Sequence, residues 1–362
     1  VAMAFLLLVG AGLMLRSFRH VVQVDPGFVP DRVFTGYTAL TGVRYPTGEA
    51  QRGFYDRLLG AIRALPGVEA AGVTSLLPFG NEDRTMSITP VGYEPRPGES
   101  RIIPNWSVAG PGYFQALGID VLEGRTFEEL DGPEQQRVIV LDDWLAKYFW
   151  PDRSALGRQV RLPWGDQTWT VIGVVRSVKL KDLTSPASAQ AGAFYLTYRQ
   201  VPMPEMALVV RGADTNVSIV ENVRSAVTRL DPNVPLFDVL TLDHRLNKSL
   251  GSRRTPMILL VGFAAIAVFL AAVGTYGVMA YSVAQRRRET AIRIAMGSRP
   301  LDILALVLKR GVVMAVVGLT AGAIGVAFMV QFVQSLLYGI EPLDPLVLAA
   351  TAGVLCISVV LA

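Results

Sequence analysis

Few residues in this chain have the types and spacings that bond-making chemistry needs. The two histidines, His20 and His244, lie far apart, with no H-E-x-x-H pattern and no cysteine beside them, so a protein-built zinc site is not expected. The single cysteine, Cys356, falls in an apolar run and can form no intrachain disulfide. No G-x-x-x-x-G-K-[ST] occurs, and none of the lysines follows a glycine, which excludes a P-loop within this sequence. Gly10-Ala11-Gly12 lacks a third glycine at Leu15 and sits in an apolar segment, and G-x-S-x-G is absent. The adjacent carboxylates Asp142-Asp143 and Glu128-Glu129 could in principle serve acid–base work, but their flanks read as solvated surface. No catalytic residue, metal ligand or bound cofactor is therefore expected.

What remains is a recognition segment, Gln285 to Pro300, reading QRRRETAIRIAMGSRP. Ile292, Ala295 and Met296 fall at i, i+3 and i+4, one face of a short helix whose other sides carry Arg286, Arg287, Arg288, Glu289 and Arg293. Gly297 suits a left-handed helix stop, and Ser298 ahead of Pro300 suits the cap of a second helix. Such a helix either lies on anionic membrane lipid or docks a cytoplasmic partner.

The elements that would position it are membrane spans. A hydrophobic share of 51% and a mean hydropathy of +0.39 are too apolar for an ordinary soluble chain of 362 residues. Met257 to Val283 and Gly311 to Val333 contain no charged residue, and each is long enough for a hydrocarbon core of about 30 Å. The loop between them, residues 284–310, holds seven basic residues against Glu289 and Asp302, which places it in the cytoplasm. Residues 1–18 read as part of a first span and 346–362 as part of a fourth, both truncated. The link after the third span, Gln334 to Pro345, has no Lys or Arg and suits the outer face. Gly318 and Gly322 form GxxxG, while Ala264, Ala267, Ala271, Gly274 and Gly277 give the second span small residues for close helix packing. Without ionisable groups the spans offer no proton relay. The net charge of +4 owes its surplus to the 284–310 loop rather than to an aromatic-laced basic patch, so nucleic acid is not an expected partner.

Between the spans, residues 25–250 read as an extracytoplasmic α+β domain. Val33 to Leu40, Glu49 to Leu65 and Ala70 to Leu77 form a strand, a helix with Phe54, Leu58 and Ile62 on one face, and a strand. Met206 to Arg211, Ser218 to Leu230 and Leu236 to Leu240 repeat that pattern, with Asp231-Pro232 stopping the helix. Two such units imply a split β-α-β sheet, with residues 105–190 inserted as a small β-rich subdomain. Asp243 to Thr255 forms a polar helical stalk leading back to the membrane.

Tyr276-Gly277-Val278 followed by Gln285 to Gly297 resembles the FtsX/MacB-type ABC transporter permease domain, with Thr290-Ala291 where Ile-Gly is the family pattern. Gly112-Tyr113-Phe114, Gly124-Arg125-Thr126-Phe127, Phe149-Trp150-Pro151 and Val171-Ile172-Gly173-Val174-Val175 occur in the order of a MacB-like periplasmic core domain. The resemblance implies that Arg286 to Gly297 form the coupling helix on an ABC ATPase subunit supplied in trans, which uses ATP that this chain does not bind. It further implies a bacterial inner-membrane location and a second permease module, as a dimer partner or the other half of a duplicated acidobacterial-type chain. A periplasmic adaptor and outer-membrane channel are also implied. The expected role is mechanotransmission for export or extraction. An FtsX-like regulator of a cell-wall hydrolase and a membrane-anchored receptor without an ATPase are the rival readings.

Overall fold

The computed structural model describes residues 1–80, 82–94, 102–184, 192–213, 217–285, 312–313, 316–328 and 344–361. These divide into two compact units, Asp25–Ser249 and the pair of segments Val1–Val24 and Leu250–Ala362.

The first unit begins with β1 (Val33–Ala39), α2 (Gly48–Arg63) and β2 (Val68–Thr74). Helix α2 starts where the Thr47 side chain accepts the Ala50 N–H at 3.2 Å. Its buried face is Phe54, Leu58 and Ile62, each fully buried and each contributing about 1.5–3 kcal/mol of transfer free energy. Gly67, at φ +81, turns the chain into β2. A second strand, helix and strand follow much later as β10 (Glu205–Gly212), α5 (Val217–Leu230) and β11 (Leu236–Thr241). All neighbouring pairs are antiparallel in the order β11-β1-β10-β2, so the two expected β-α-β units share one sheet.

Residues between β2 and β10 extend that sheet. They contribute β3 (Thr89–Pro90), β4 (Asn105–Ala109), α3 (Tyr113–Leu117), β5 (Val121–Gly124), β6 (Val138–Asp142), α4 (Asp143–Phe149), β7 (Gln159–Arg161), β8 (Thr168–Val175) and β9 (Ala193–Thr197). From β2 the order continues β4-β9-β6-β8-β7-β3, with β5 beside β8. The joint between halves is one residue pair wide, Thr74 opposite Ala109. Side-chain hydroxyls reinforce it: Thr74 Oγ1 lies 2.8 Å from Ser107 Oγ, and the Val108 N–H donates to Ser75 Oγ at 2.8 Å. Helix α3 crosses β2 at Gly72, where a Cβ would stand 2.4 Å from the Tyr113 nitrogen. All five tryptophans lie in this half, on β4 (Trp106), at α4 (Trp144, Trp150) and on the β7–β8 hairpin (Trp164, Trp169).

Nearly all described residues of the second unit fall in helices. It comprises α1 (Ala2–Val22), most of α6 (Leu242–Gln285), α7 (Val316–Phe328) and α8 (Pro345–Leu361). Ala2–Val22 and Arg254–Gln285 are each long and apolar enough to cross a membrane. Ala4, Phe5, Val9, Leu13, Val326, Val347 and Leu355 form its buried cluster, against which Ala267, Val268 and Ala271 of α6 pack. Asp344 caps α8 by accepting the Leu346 N–H at 3.0 Å and pairs with Arg16.

Candidate functional site

The basic stretch singled out in the sequence, Arg286, Arg287, Arg288, Glu289, Ile292, Arg293, Ala295, Met296 and Gly297, lies outside the described residues. Helix α6 runs up to it, ending at Gln285.

The packing glycines separate into two environments. A Cβ on Gly318 would meet Val1 Cγ1 at 2.5 Å, and one on Gly322 would meet Phe5 Cδ1 at 2.7 Å and the Ala2 carbonyl oxygen at 3.2 Å. Both therefore face α1. A Cβ on Gly274 or Gly277 of α6 would meet no described neighbour within 4 Å. The face of α6 that does pack is Ala264, Ala267, Val268, Ala271 and Thr275, small or β-branched residues at i, i+3, i+4, i+7 and i+11. Elsewhere the helix presents large apolar side chains, among them Ile266, Phe269, Leu270 and Tyr276.

Among the described residues no cluster of three His, Cys, Asp or Glu could hold a metal ion. Of the two pairs of adjacent carboxylates, Asp142-Asp143 does not occupy the solvated setting its flanks implied. Asp142 is buried, and its two oxygens accept the Leu145 N–H and the Ala193 N–H, each at 2.8 Å, so it caps α4 and clips it to β9. Burial pushes its carboxyl up to about 7, against the pull of those two N–H donors. Asp143 binds the Ser177 hydroxyl at 2.6 Å and Lys147 at 2.8 Å. Burial opposes its ionisation, yet those bonds hold it below the usual carboxylate range. Glu128 and Glu129 are exposed, as expected.

Sequence reasoning also missed a closed loop after β5. Arg125 donates to both oxygens of Asp131 at 2.8 Å, and the Glu128 N–H donates to the same carboxylate at 2.8 Å. Burial opposes ionisation of Asp131, but these donors hold its carboxyl low. Asp131, Asp142 and Asp143 are thus each committed to a cap or an ion pair. The hydroxyls of Tyr113 and Tyr195, fully buried, are pushed far above the ordinary tyrosine value by desolvation and offer no nucleophile at neutral pH.

Residues 2–231 match the family model of the MacB-like periplasmic core domain. The chain belongs to that family. Residues 261–362 of this MacB-like chain match a second family, the FtsX-like permease C-terminal domain. The Macrolide export ATP-binding/permease protein MacB of Chromobacterium violaceum is 29% identical over 242 residues, which are 64% of this chain and 36% of that protein. The protein of the same name from Vibrio parahaemolyticus is 24% identical over 304 residues, 78% of this chain and 43% of that one. The chain thus spans less than half the length of these relatives. The crystal structure of the periplasmic region of MacB from Actinobacillus actinomycetemcomitans aligns with 64% of this MacB-like chain and 98% of its own, at 16% identity and a TM-score of 0.41.

Proposed function

We propose that these residues are the permease part of an ABC exporter of the MacB/FtsX kind, which turns ATP hydrolysis by a separate ATPase subunit into motion of residues 25–250. The bacterial inner membrane holds the helical unit, and the domain of residues 25–250 lies on the periplasmic side. The ATPase docks on Arg286 to Gly297. A second permease module, as partner subunit or duplicated half, completes the membrane part, and a periplasmic adaptor and outer-membrane channel receive the cargo.

One observation carries this reading: α6 is a single helix of 44 residues, about 66 Å at 1.5 Å per residue, beginning directly after β11 and ending at the basic stretch. Residues 1–362 contain no P-loop, so the proposal assigns ATP binding to an ATPase outside them. The relatives' names concern macrolide export, and the substrate here is assigned only as an exported molecule.

The test is co-purification from membranes followed by topology labelling. In a Cys356→Ser background, a cysteine at exposed Ser154 should react with an impermeant maleimide in intact spheroplasts, whereas one at Ser298 should react only after permeabilisation. The ATPase should elute with the chain. Labelling in the opposite order, or a chain that hydrolyses ATP alone, sinks the proposal.

A further inference from the structure

Arg245 lies in the opening turns of α6 and is 5% exposed, although no sequence motif points to it. Its guanidinium is fully engaged with the sheet. Nε donates to Thr35 Oγ1 on β1 at 2.8 Å, Nη1 to Asp238 Oδ2 on β11 at 2.7 Å, and Nη2 to the Asp238 carbonyl oxygen at 2.6 Å. Its central carbon stands 5.4 Å from the ring centroid of Tyr37, which donates to Glu82 at 2.9 Å and stacks on Phe237 at 5.8 Å. All these partners belong to the same unit as Arg245.

The strand has been bent to make this contact. Asp238 adopts φ +48, a left-handed conformation that costs a non-glycine residue free energy. The β1–β11 pairing shifts register between Thr35 and Tyr37, opposite the same place. The bulge brings the carboxylate and the carbonyl of one residue onto one cation. An anchor alone would not need it, since Leu242 at the helix start is already fully buried. What the planar fork adds is orientation: it fixes the helix against rotation relative to two strands at once, which apolar packing does not.

We propose that Arg245 is a positioning residue, the joint through which movement of α6 is imposed on β1 and β11. This rests on the transmission reading above and adds where in the outer domain the movement enters. The two halves of the sheet meet at the β2–β4 joint, so a pull entering at β1 and β11 is read as a change in distance between them.

The experiment uses the whole chain with its co-purified ATPase in nanodiscs, in a Cys356→Ser background. Spin labels are placed at Val43 and Leu130, which are 97% and 81% exposed. Distance distributions are recorded without nucleotide and with ATP plus vanadate. The parental protein should show a nucleotide-dependent shift. Arg245→Gln should keep ATPase binding and hydrolysis while the shifted population falls about tenfold, a coupling loss of ordinary size for linked sites. Arg245→Lys, which keeps charge without the fork, should restore only part of it. A merely structural residue would instead lower assembly and hydrolysis together. Should Arg245→Gln fail to insert, Thr35→Val removes one acceptor from the fork and carries the same expectation to a smaller degree. An undiminished shift in Arg245→Gln or Thr35→Val overturns the joint. A parental protein with no shift overturns the transmission reading itself, and the two failures are distinct.

Discussion

Gly322 lies against Phe5: a methyl group on the glycine would overlap the phenyl ring at 2.7 Å, and Gly318 stands in the same relation to Val1. Helices α1 and α7 approach so closely because neither position carries a side chain. Leucine at either glycine should therefore destabilise the helical unit by about 1–3 kcal/mol or prevent its assembly. Leucine at Gly274 or Gly277, where no described atom lies within 4 Å, should leave its melting in detergent unchanged. Circular dichroism melts of the four variants decide it, and equal effects at all four would remove the distinction.

Asp142 should make the protein less stable as pH rises. Its carboxyl titrates near 7 in the folded chain, against an ordinary value of 3.8, so the folded state holds the extra proton between these values. Stability from this group is greatest at the acid end of that window and falls as pH rises through 7. Asp142→Asn removes the titration, so the stability of the parent relative to the variant should fall by about 2–3 kcal/mol from pH 5 to pH 8. A constant gap in denaturant titrations across that range would contradict the assignment.

Asp131 gives the opposite slope. Its folded carboxyl is held low, so its contribution is complete above the ordinary carboxylate range and is lost as pH falls through the lowered value. Arg125→Ala leaves Asp131 buried without its two-pronged partner and should cost about 1–3 kcal/mol at pH 7. The loss should shrink on acidification, when the parent's carboxylate is itself protonated. Melts at pH 7 and at successively lower pH, down through the lowered value, test both halves of the expectation.

On the proposed docking, charge reversal at Arg288 combined with Ile292→Asp should release the ATPase while leaving the chain in the membrane, because it replaces a cation and an apolar side chain of the basic stretch with carboxylates. Pull-down of the ATPase with the double variant is the measurement. Undiminished capture would exclude this stretch as the docking element.

Proline at Leu246 should cut transmission at the root of α6. It removes the N–H that bonds the Leu242 carbonyl and costs about 3 kcal/mol or more in a helix interior. The native Pro256 sits inside the same helix, so position rather than proline itself is what matters. Nucleotide-dependent shifts should vanish in Leu246→Pro and persist in Pro256→Ala. Persistence in Leu246→Pro would count against a rigid helical path.

The β-α-β halves were legible because burial imposes a period: Phe54, Leu58 and Ile62 at helical spacing, then strands that punctuating turns delimit. The narrow continuation of the sheet was not, since β4 and β9 join it through non-local pairing, and β3 and β5 are only two and four residues long. Asp142 carried a usable cue, an acidic residue between a strand and a helix, but a second acid beside it read as solvent-facing charge. Arg245 had none. Its partners depend on a bulge in β11 and on Thr35 some two hundred residues earlier, and no local pattern encodes either. The four packing glycines looked alike in sequence, whereas two of them meet α1 and two do not.

The placement of every tryptophan in the half of the sheet from β4 to β8 gives the molecule a built-in optical reporter. Indole emission from these residues arises there, while the helical unit and the strands around Arg245 carry no tryptophan. Iodide quenching should single out Trp164, 52% exposed at a hairpin tip. On the proposed topology, any change in this chain's indole emission when nucleotide binds to the ATPase is a signal that has travelled from there to the half of the sheet that carries the tryptophans.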